Sequence, residues 1–351
     1  MKALITASFH ADGLARLRRQ MDVVHEDWRT SKRIYFDAQK FAARINEVGA
    51  DVLIVEADLA HDDVLNACRL KLIGCCRGDP INVGIERATA LGIPVLYAPA
   101  RNADAVADLT VGYMLALARN IFTVNMLLKQ GQMRFEKTSD YLDVYERYGG
   151  FELGGVTVGI VGFGAIGRGV AQRLHGFGTR IVAYDPHVAA DVFAAHHATP
   201  VGLDELLRQA DILTVHCPDL PETQGLIGPA QICSLKPGAY VLNLARAAVV
   251  DEDALYEALT AGHLAGAALD VFRDEPLRAD NRFVALPNVL TSPHLGGATR
   301  DVIRHQTDII VDGIEAWLAG RRPAHIVNPE VLEKKTENRQ QTHRQQTADG
   351  R

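Results

Sequence analysis

The 351-residue chain is long enough for two domains, each with a core of its own. It carries 37 Lys and Arg against 43 Asp and Glu, net −6, and no basic face interleaved with aromatics, which argues against a nucleic-acid partner. No apolar run reaches membrane-spanning length and the start MKALITASF lacks the features of a signal peptide, so a soluble cytoplasmic protein without a membrane partner is expected.

In chain order, the apolar runs KALITAS, DVLIVEA, LKLIGCC and IPVLYAP begin at Lys2, Asp51, Leu70 and Ile93. Helical or turn-rich segments separate them, which predicts a first α/β unit ending near Pro99. Residues 103 to 130 then hold apolar positions over most faces of one long predicted helix. That is more than a single packing face needs, so burial between domains or at a subunit interface is expected.

Val156 to Gly162 (VTVGIVG) reads as a buried parallel strand, and AIGRGVAQRLHGFG after it reads as a helix closed by glycine. A second strand, RIVAYD, ends at Asp185. Further strands begin at Asp211 (DILTVHC), Ala239 (AYVLNLA), Ala265 (AGAALDV) and Asn288 (NVLTSPH), completing a doubly wound parallel sheet. A closing helix is predicted from Gly297 to about Leu318, and the polar stretch 330–351 reads as a disordered tail.

The glycine turn VGFGAIG carries a nucleotide-binding signal because strand, turn and helix come in the required order. Gly162 permits the tight turn, Gly164 has no side chain to obstruct a pyrophosphate, and Gly167 lets the helix approach the strand. Asp185 can accept hydrogen bonds from the adenine ribose and would repel a 2′-phosphate, which favours NAD over NADP. The turn lies mid-chain, so its domain is read as inserted into another. The substrate domain takes residues 1–101 and 296–329, and the NAD-binding domain takes 102–295.

Cys68, Cys75, Cys76, Cys217 and Cys233 form neither a CxxC pair nor zinc-ligand spacing, so buried free thiols and no metal site are expected. Arg246, Glu275 and His294 each follow a predicted strand, at the sheet edge that faces a ligand in open α/β folds. A guanidinium grips a carboxylate with parallel hydrogen bonds, an imidazole moves a proton near neutral pH, and a carboxylate orients that imidazole. Such a set suits reduction of a 2-oxo acid. Spacing alone leaves open a surface ion pair for Arg246, a turn role for Glu275 and a core position for His294.

Taken together, RNADAVADLTVGYMLALARNI, VGFGAIG with Asp185, VHCPDLPETQGLI, NLARAAVVDEDAL, GAALDVFRDEP and SPHLGG resemble the D-isomer-specific 2-hydroxyacid dehydrogenase family, most closely its phosphoglycerate dehydrogenase branch. The likeness runs from about Asp51 to Pro329. It implies two Rossmann-like domains, with the NAD domain inserted into a discontinuous flavodoxin-like substrate domain. Arg246 is implied as binder of the substrate carboxylate and carbonyl, His294 as acid/base and Glu275 as its partner. Implied cofactor contacts fall on Ala165 and Ile166, Asp185, His216, Cys217 and Pro218, Leu244 and Ala245, Asp270 for the carboxamide, and Gly296 and Gly297. A substrate loop falls on Arg77, Gly78 and Asp79, and a homodimer is implied through the 103–130 helix region.

Departures from the family pattern bear on substrate. Ala247 stands where the family usually has Gly after the catalytic Arg, and phosphoglycerate enzymes often place an arginine earlier than Arg77. Arg77 and Arg101 are the candidate phosphate contacts, and the C-terminal regulatory domain of that branch is expected to be absent. The expected activity is interconversion of a small D-2-hydroxy acid and its 2-oxo acid, 3-phosphoglycerate dehydrogenase-like. The alternatives are a hydroxypyruvate or glyoxylate reductase and an NAD-sensing, corepressor-like binding protein.

Overall fold

The structure, a computed structural model, describes residues 1–333. It divides into two compact units, Met1–Arg101 with the chain from Thr299 onward, and Asn102–Ala298.

The first unit is built on a five-stranded parallel sheet of β1 (Lys2–Ile5), β2 (Asp22–His25), β3 (Val52–Val55), β4 (Leu72–Cys75) and β5 (Val95–Tyr97), ordered β2-β1-β3-β4-β5. This is the flavodoxin-like order. The interior strands β3 and β4 are buried throughout, as a sheet covered on both faces requires. One face buries Phe41, Ile45, Leu53, Leu65 and Ile73, and the other packs Ile5, Leu17 and Ile54 against Ile310 and Ile314 of the closing helix. That helix, Arg300–Leu318, starts later than Gly297 because Thr299 Oγ1 caps it by accepting from Val302 N. Edge strand β2 escapes the sequence reading because DVVH is half exposed and holds only two β-branched residues.

The tail needs correcting at its start. Residues 330–333 form a helical turn with Val331 buried at 3 % exposure, so order extends past the predicted boundary at 330. The rest of the expected tail lies outside the described residues.

The second unit holds a seven-stranded parallel sheet: β6 (Thr157–Val161), β7 (Arg180–Tyr184), β8 (Thr199–Pro200), β9 (Ile212–Val215), β10 (Ala239–Asn243), β11 (Leu264–Leu269) and β12 (Val289–Thr291). Their order is β12-β11-β10-β9-β6-β7-β8, with the direction of winding reversing between β6 and β9. The two-residue strand β8, which includes Pro200, closes one edge where a missing N–H costs no ladder bond.

The single helix expected over 103–130 is in fact two. Ala103–Ala118 and Ile121–Lys129 meet at a 65° bend where Asn120 takes a left-handed backbone, φ 52°. The apolar surplus divides between them. The first helix buries Val106, Ala107, Val111 and Met114 against the unit's own core, whereas the second has no buried residue. No single helix among the described residues is long and apolar enough to cross a membrane.

Candidate active site

At the reversal point, β6 runs into Gly162, whose φ of +90° and position exclude a side chain: a Cβ there would lie 2.6 Å from the Cys217 backbone nitrogen. A Cβ on Gly167 would lie 2.2 Å from the Gly162 carbonyl oxygen, so only glycine lets the Ala165–His175 helix start this close to β6. Gly164 faces open space, and no side chain caps that helix. Its first N–H groups are therefore available to an anion. Asp185, at the end of β7, is fixed beside the turn: Oδ2 accepts from Phe163 N at 2.8 Å and Oδ1 from His187 N at 3.0 Å. An uncapped helix start, an open glycine and a held carboxylate fit a dinucleotide.

His216, Cys217 and Pro218 follow β9 on the other side of the reversal, and Leu244 and Ala245 follow β10. His216 is buried, with Nε2 2.9 Å from Thr214 Oγ1 and Nδ1 lacking a partner among the described residues. Burial pushes its imidazole down to about 3. The sign follows directly. Below about pH 6.5 the unfolded chain binds the proton that the folded chain refuses, so stability falls with decreasing pH by about 1.4 kcal/mol per unit until the folded value is reached. His216→Asn should therefore unfold at relatively higher urea than wild type at pH 5 than at pH 7, the difference growing by about 2 kcal/mol; an unchanged difference would show that His216 titrates normally.

Burial likewise pushes the Cys75 thiol to about 12 and Cys217 to about 11. Cys68, Cys75, Cys76 and Cys217 are buried free thiols, while Cys233 is exposed.

Three strand ends bring the polar trio together. Arg246 follows β10, Glu275 follows β11 and His294 follows β12, and all three line one pocket of about 480 Å³ with Asp219, Phe272 and Arg273. His294 Nδ1 lies 2.9 Å from Glu275 Oε2, and Glu275 Oε1 accepts from Phe272 N at 3.2 Å. Both side chains stay open to solvent, at 51 % and 37 % exposure, so a small molecule can reach the imidazole. The Arg246 guanidinium donates to its neighbour's carbonyl, Ala245 O, at 2.7 Å. Ala247 opens a 3-10 turn and does not take the left-handed backbone that favours glycine, so its methyl is tolerated. His294 does take that backbone, φ 56°, which for a non-glycine residue costs about 1 kcal/mol or more.

Two polar residues absent from the sequence reading support this site. Asn243, buried at the end of β10, accepts from Ala245 N at 3.1 Å and donates to Arg246 O at 3.0 Å, shaping the turn that presents the arginine. An Asn three residues before a functional residue in a turn was the available signal. Ser292 hydrogen-bonds to Asp270, a pairing between two strand ends that no local pattern announces.

The predicted substrate loop, Arg77, Gly78 and Asp79, belongs to the first unit, just beyond β4. Arg77 O accepts from Ala98 N at 2.8 Å, and its side chain makes no ion pair among the described residues. Arg101 differs. It pairs with Glu56 at 2.9 Å and hydrogen-bonds Gln306, which commits it to the framework.

Comparison with known proteins places the chain. Residues 111–296 match the model for the D-isomer specific 2-hydroxyacid dehydrogenase, NAD binding domain. YoaD of Bacillus subtilis (strain 168), named as a 2-hydroxyacid dehydrogenase, is 36% identical over 320 residues, covering 90% of this chain and 91% of that protein. D-3-phosphoglycerate dehydrogenase of Methanocaldococcus jannaschii is 34% identical over 95% of this chain, which spans 61% of that enzyme's length. Glyoxylate reductase of Thermococcus litoralis is 33% identical, covering 82% of this chain and 86% of that protein. Among solved structures, the TT0316 protein from Thermus thermophilus superposes with a TM-score of 0.78 at 33% identity, covering 93% of this chain and all of that one. With an NAD(P)-type glycine turn and this breadth of similarity, the chain belongs to the D-isomer specific 2-hydroxyacid dehydrogenase family, oxidoreductases acting on CH–OH groups with NAD(P).

Proposed function

We propose that the protein is an NAD-dependent dehydrogenase of a small D-2-hydroxy acid, of 3-phosphoglycerate dehydrogenase-like type. The observation that carries this reading is the His294–Glu275 contact of 2.9 Å in one pocket with Arg246. The second unit takes the nucleotide, and Arg77, Gly78 and Asp79 of the first unit are the substrate-loop residues that the family likeness implies. Glycines 162, 164 and 167, with Ala165 and Ile166, would hold the pyrophosphate, Asp185 would accept from the ribose, and the loop at Gly296 and Gly297 would take part in holding the nicotinamide end. When bound, the dihydronicotinamide supplies the hydride.

The chain's own groups do the rest. Arg246 holds the 2-oxo acid through parallel N–H bonds and polarises its carbonyl. His294 donates the proton on Nε2 to the oxygen as it becomes an alkoxide, and takes it back in the oxidative direction. Glu275 accepts from Nδ1–H, which fixes the ring and balances the charge of the imidazolium.

A second reading, an unphosphorylated acid such as hydroxypyruvate or glyoxylate, is favoured by the commitment of Arg101 to Glu56 and Gln306. Of the two candidate phosphate contacts, Arg77 is then the one without an ion pair among the described residues. The test is NADH consumption across a panel containing 3-phosphohydroxypyruvate, hydroxypyruvate and glyoxylate. The first as best substrate by kcat/KM supports the leading reading, and either of the others supports the second. NADH binding without turnover on any 2-oxo acid would favour a nucleotide sensor.

We also propose a homodimer through the 103–130 region. Ile121, Phe122, Met126 and Leu128 stand exposed beside a groove of about 430 Å³ that also takes in Tyr113 and residues 284–287. Mass in solution should be twice that of the chain, and Phe122→Glu with Met126→Glu should yield a monomer; a monomeric wild type would rule the interface out.

A further inference from the structure

We propose that Ser292 is a positioning residue for His294, acting through the buried carboxylate of Asp270. This rests on the acid–base reading of His294. Asp270 is 1 % exposed and meets no Lys or Arg among the described residues, yet its oxygens are occupied. Oδ1 accepts from the Ser292 hydroxyl and from Leu295 N at 2.7 Å, Oδ2 accepts from Gly296 N at 2.7 Å, and the Asp270 carbonyl accepts from His294 N at 2.9 Å.

One residue at the end of β11 thus grips three consecutive backbone amides, 294 to 296, of the loop after β12. Those amides include the one of His294, whose left-handed backbone does not hold itself. Gly296 is required for the grip, because a Cβ there would lie 2.9 Å from Asp270 Oδ2.

Ser292 completes the arrangement from the other side. It is 7 % exposed, its hydroxyl can donate to only one acceptor, and that acceptor is Asp270. Tyr113, on the Ala103–Ala118 helix, is buried with its phenol near the Ser292 hydroxyl. The Ser292 hydroxyl therefore fixes the rotamer of the carboxylate, and the carboxylate fixes the backbone directly after the histidine, at Leu295 and Gly296. Without the serine, Asp270 can turn away from Leu295, and the imidazole loses its alignment without losing any contact of its own side chain.

The test compares full-length wild type, Ser292→Ala, Ser292→Thr and Tyr113→Phe by steady-state kinetics and by amide hydrogen exchange. Ser292→Ala should lower kcat about tenfold with KM for NADH within about twofold. The amides of residues 295 and 296 should exchange about tenfold faster in that variant while β11 is unchanged. Ser292→Thr, which keeps the hydroxyl, should restore both. Tyr113→Phe should move the same amides in the same direction by about two- to threefold.

Unchanged exchange in Ser292→Ala overturns the proposal, and so does faster exchange with kcat unaltered. If exchange also rises in β11, the alanine variant has loosened the whole unit, and Tyr113→Phe decides by the same two criteria. A fully active His294→Ala would instead remove the acid–base reading, while the exchange data still judge the clamp.

Discussion

His294→Ala should lower kcat for reduction of the preferred 2-oxo acid by about 10²–10⁴-fold, with NADH affinity near wild type. The developing alkoxide needs a proton, and the pocket presents His294, exposed at 51 % and held at Nδ1 by Glu275, as the group able to give one. Arg246 and Arg273, which also line the pocket, carry guanidinium groups that do not deprotonate. Loss of the imidazole therefore removes transition-state stabilisation but leaves the glycine turn intact, so the effect should fall on kcat and spare nucleotide binding. Stopped-flow hydride transfer and NADH fluorescence titration on the same variant check the two halves. Full activity would take His294 out of the reaction, and a matching loss of NADH affinity would make it a structural residue of the nucleotide site.

Asp185→Ala should raise KM for NAD(H) by about 10–100-fold and improve kcat/KM with NADP(H), reversing or abolishing a preference for NAD. The carboxylate is pinned by Phe163 N and His187 N, so it cannot swing aside when a 2′-phosphate approaches. Like charge at this range disfavours NADP, and two oxygens at the strand end offer acceptors to ribose hydroxyls. The same bonds also brace the turn, so thermal denaturation of the variant without nucleotide serves as control. A loss of affinity for both nucleotides with a lowered Tm would mean that Asp185 acts as a brace. Unchanged discrimination with an unchanged Tm would show that another group reads the ribose.

The nucleotide turn was readable because its constraints are local. The φ of +90° at Gly162 and the close approach of Gly167 to the Gly162 carbonyl are set within a few residues, and the runs on either side have the buried character of parallel strands. The convergence of Arg246, Glu275 and His294 on one pocket was readable for a different reason: each comes after a β-branched or small-residue run, and parallel strands end at the same edge. The bend at Asn120 was not readable, because RNIF contains neither Gly nor Pro and the left-handed Asn replaces the usual breaker. Strand β8 was hidden by its length of two residues, and the role of Arg101 by its partners, Glu56 and Gln306, which lie 45 and 205 positions away. The grip of Asp270 on the His294 loop is likewise a long-range pairing, from 22 to 26 residues apart, that periodicity cannot reveal.

The two crossings near residues 101 and 299 carry a consequence for how such a chain assembles. In the first unit, His305 Nδ1 lies 3.0 Å from the Arg101 carbonyl, and the Arg101 side chain reaches Gln306. In the second, Gly297 packs against the Asn102 side chain, where a Cβ would come within 3.2 Å of its amide nitrogen. Each unit therefore closes on its own cut ends. If residues 102–298 were still a random coil, bringing the host's cut ends together would cost about 5 kcal/mol of closure entropy. Once that segment has folded with its own ends adjacent, the host meets a connector only a few residues long. Early folding of the inserted unit thus favours assembly of a sheet whose last helix is synthesised just over two hundred residues after its fifth strand.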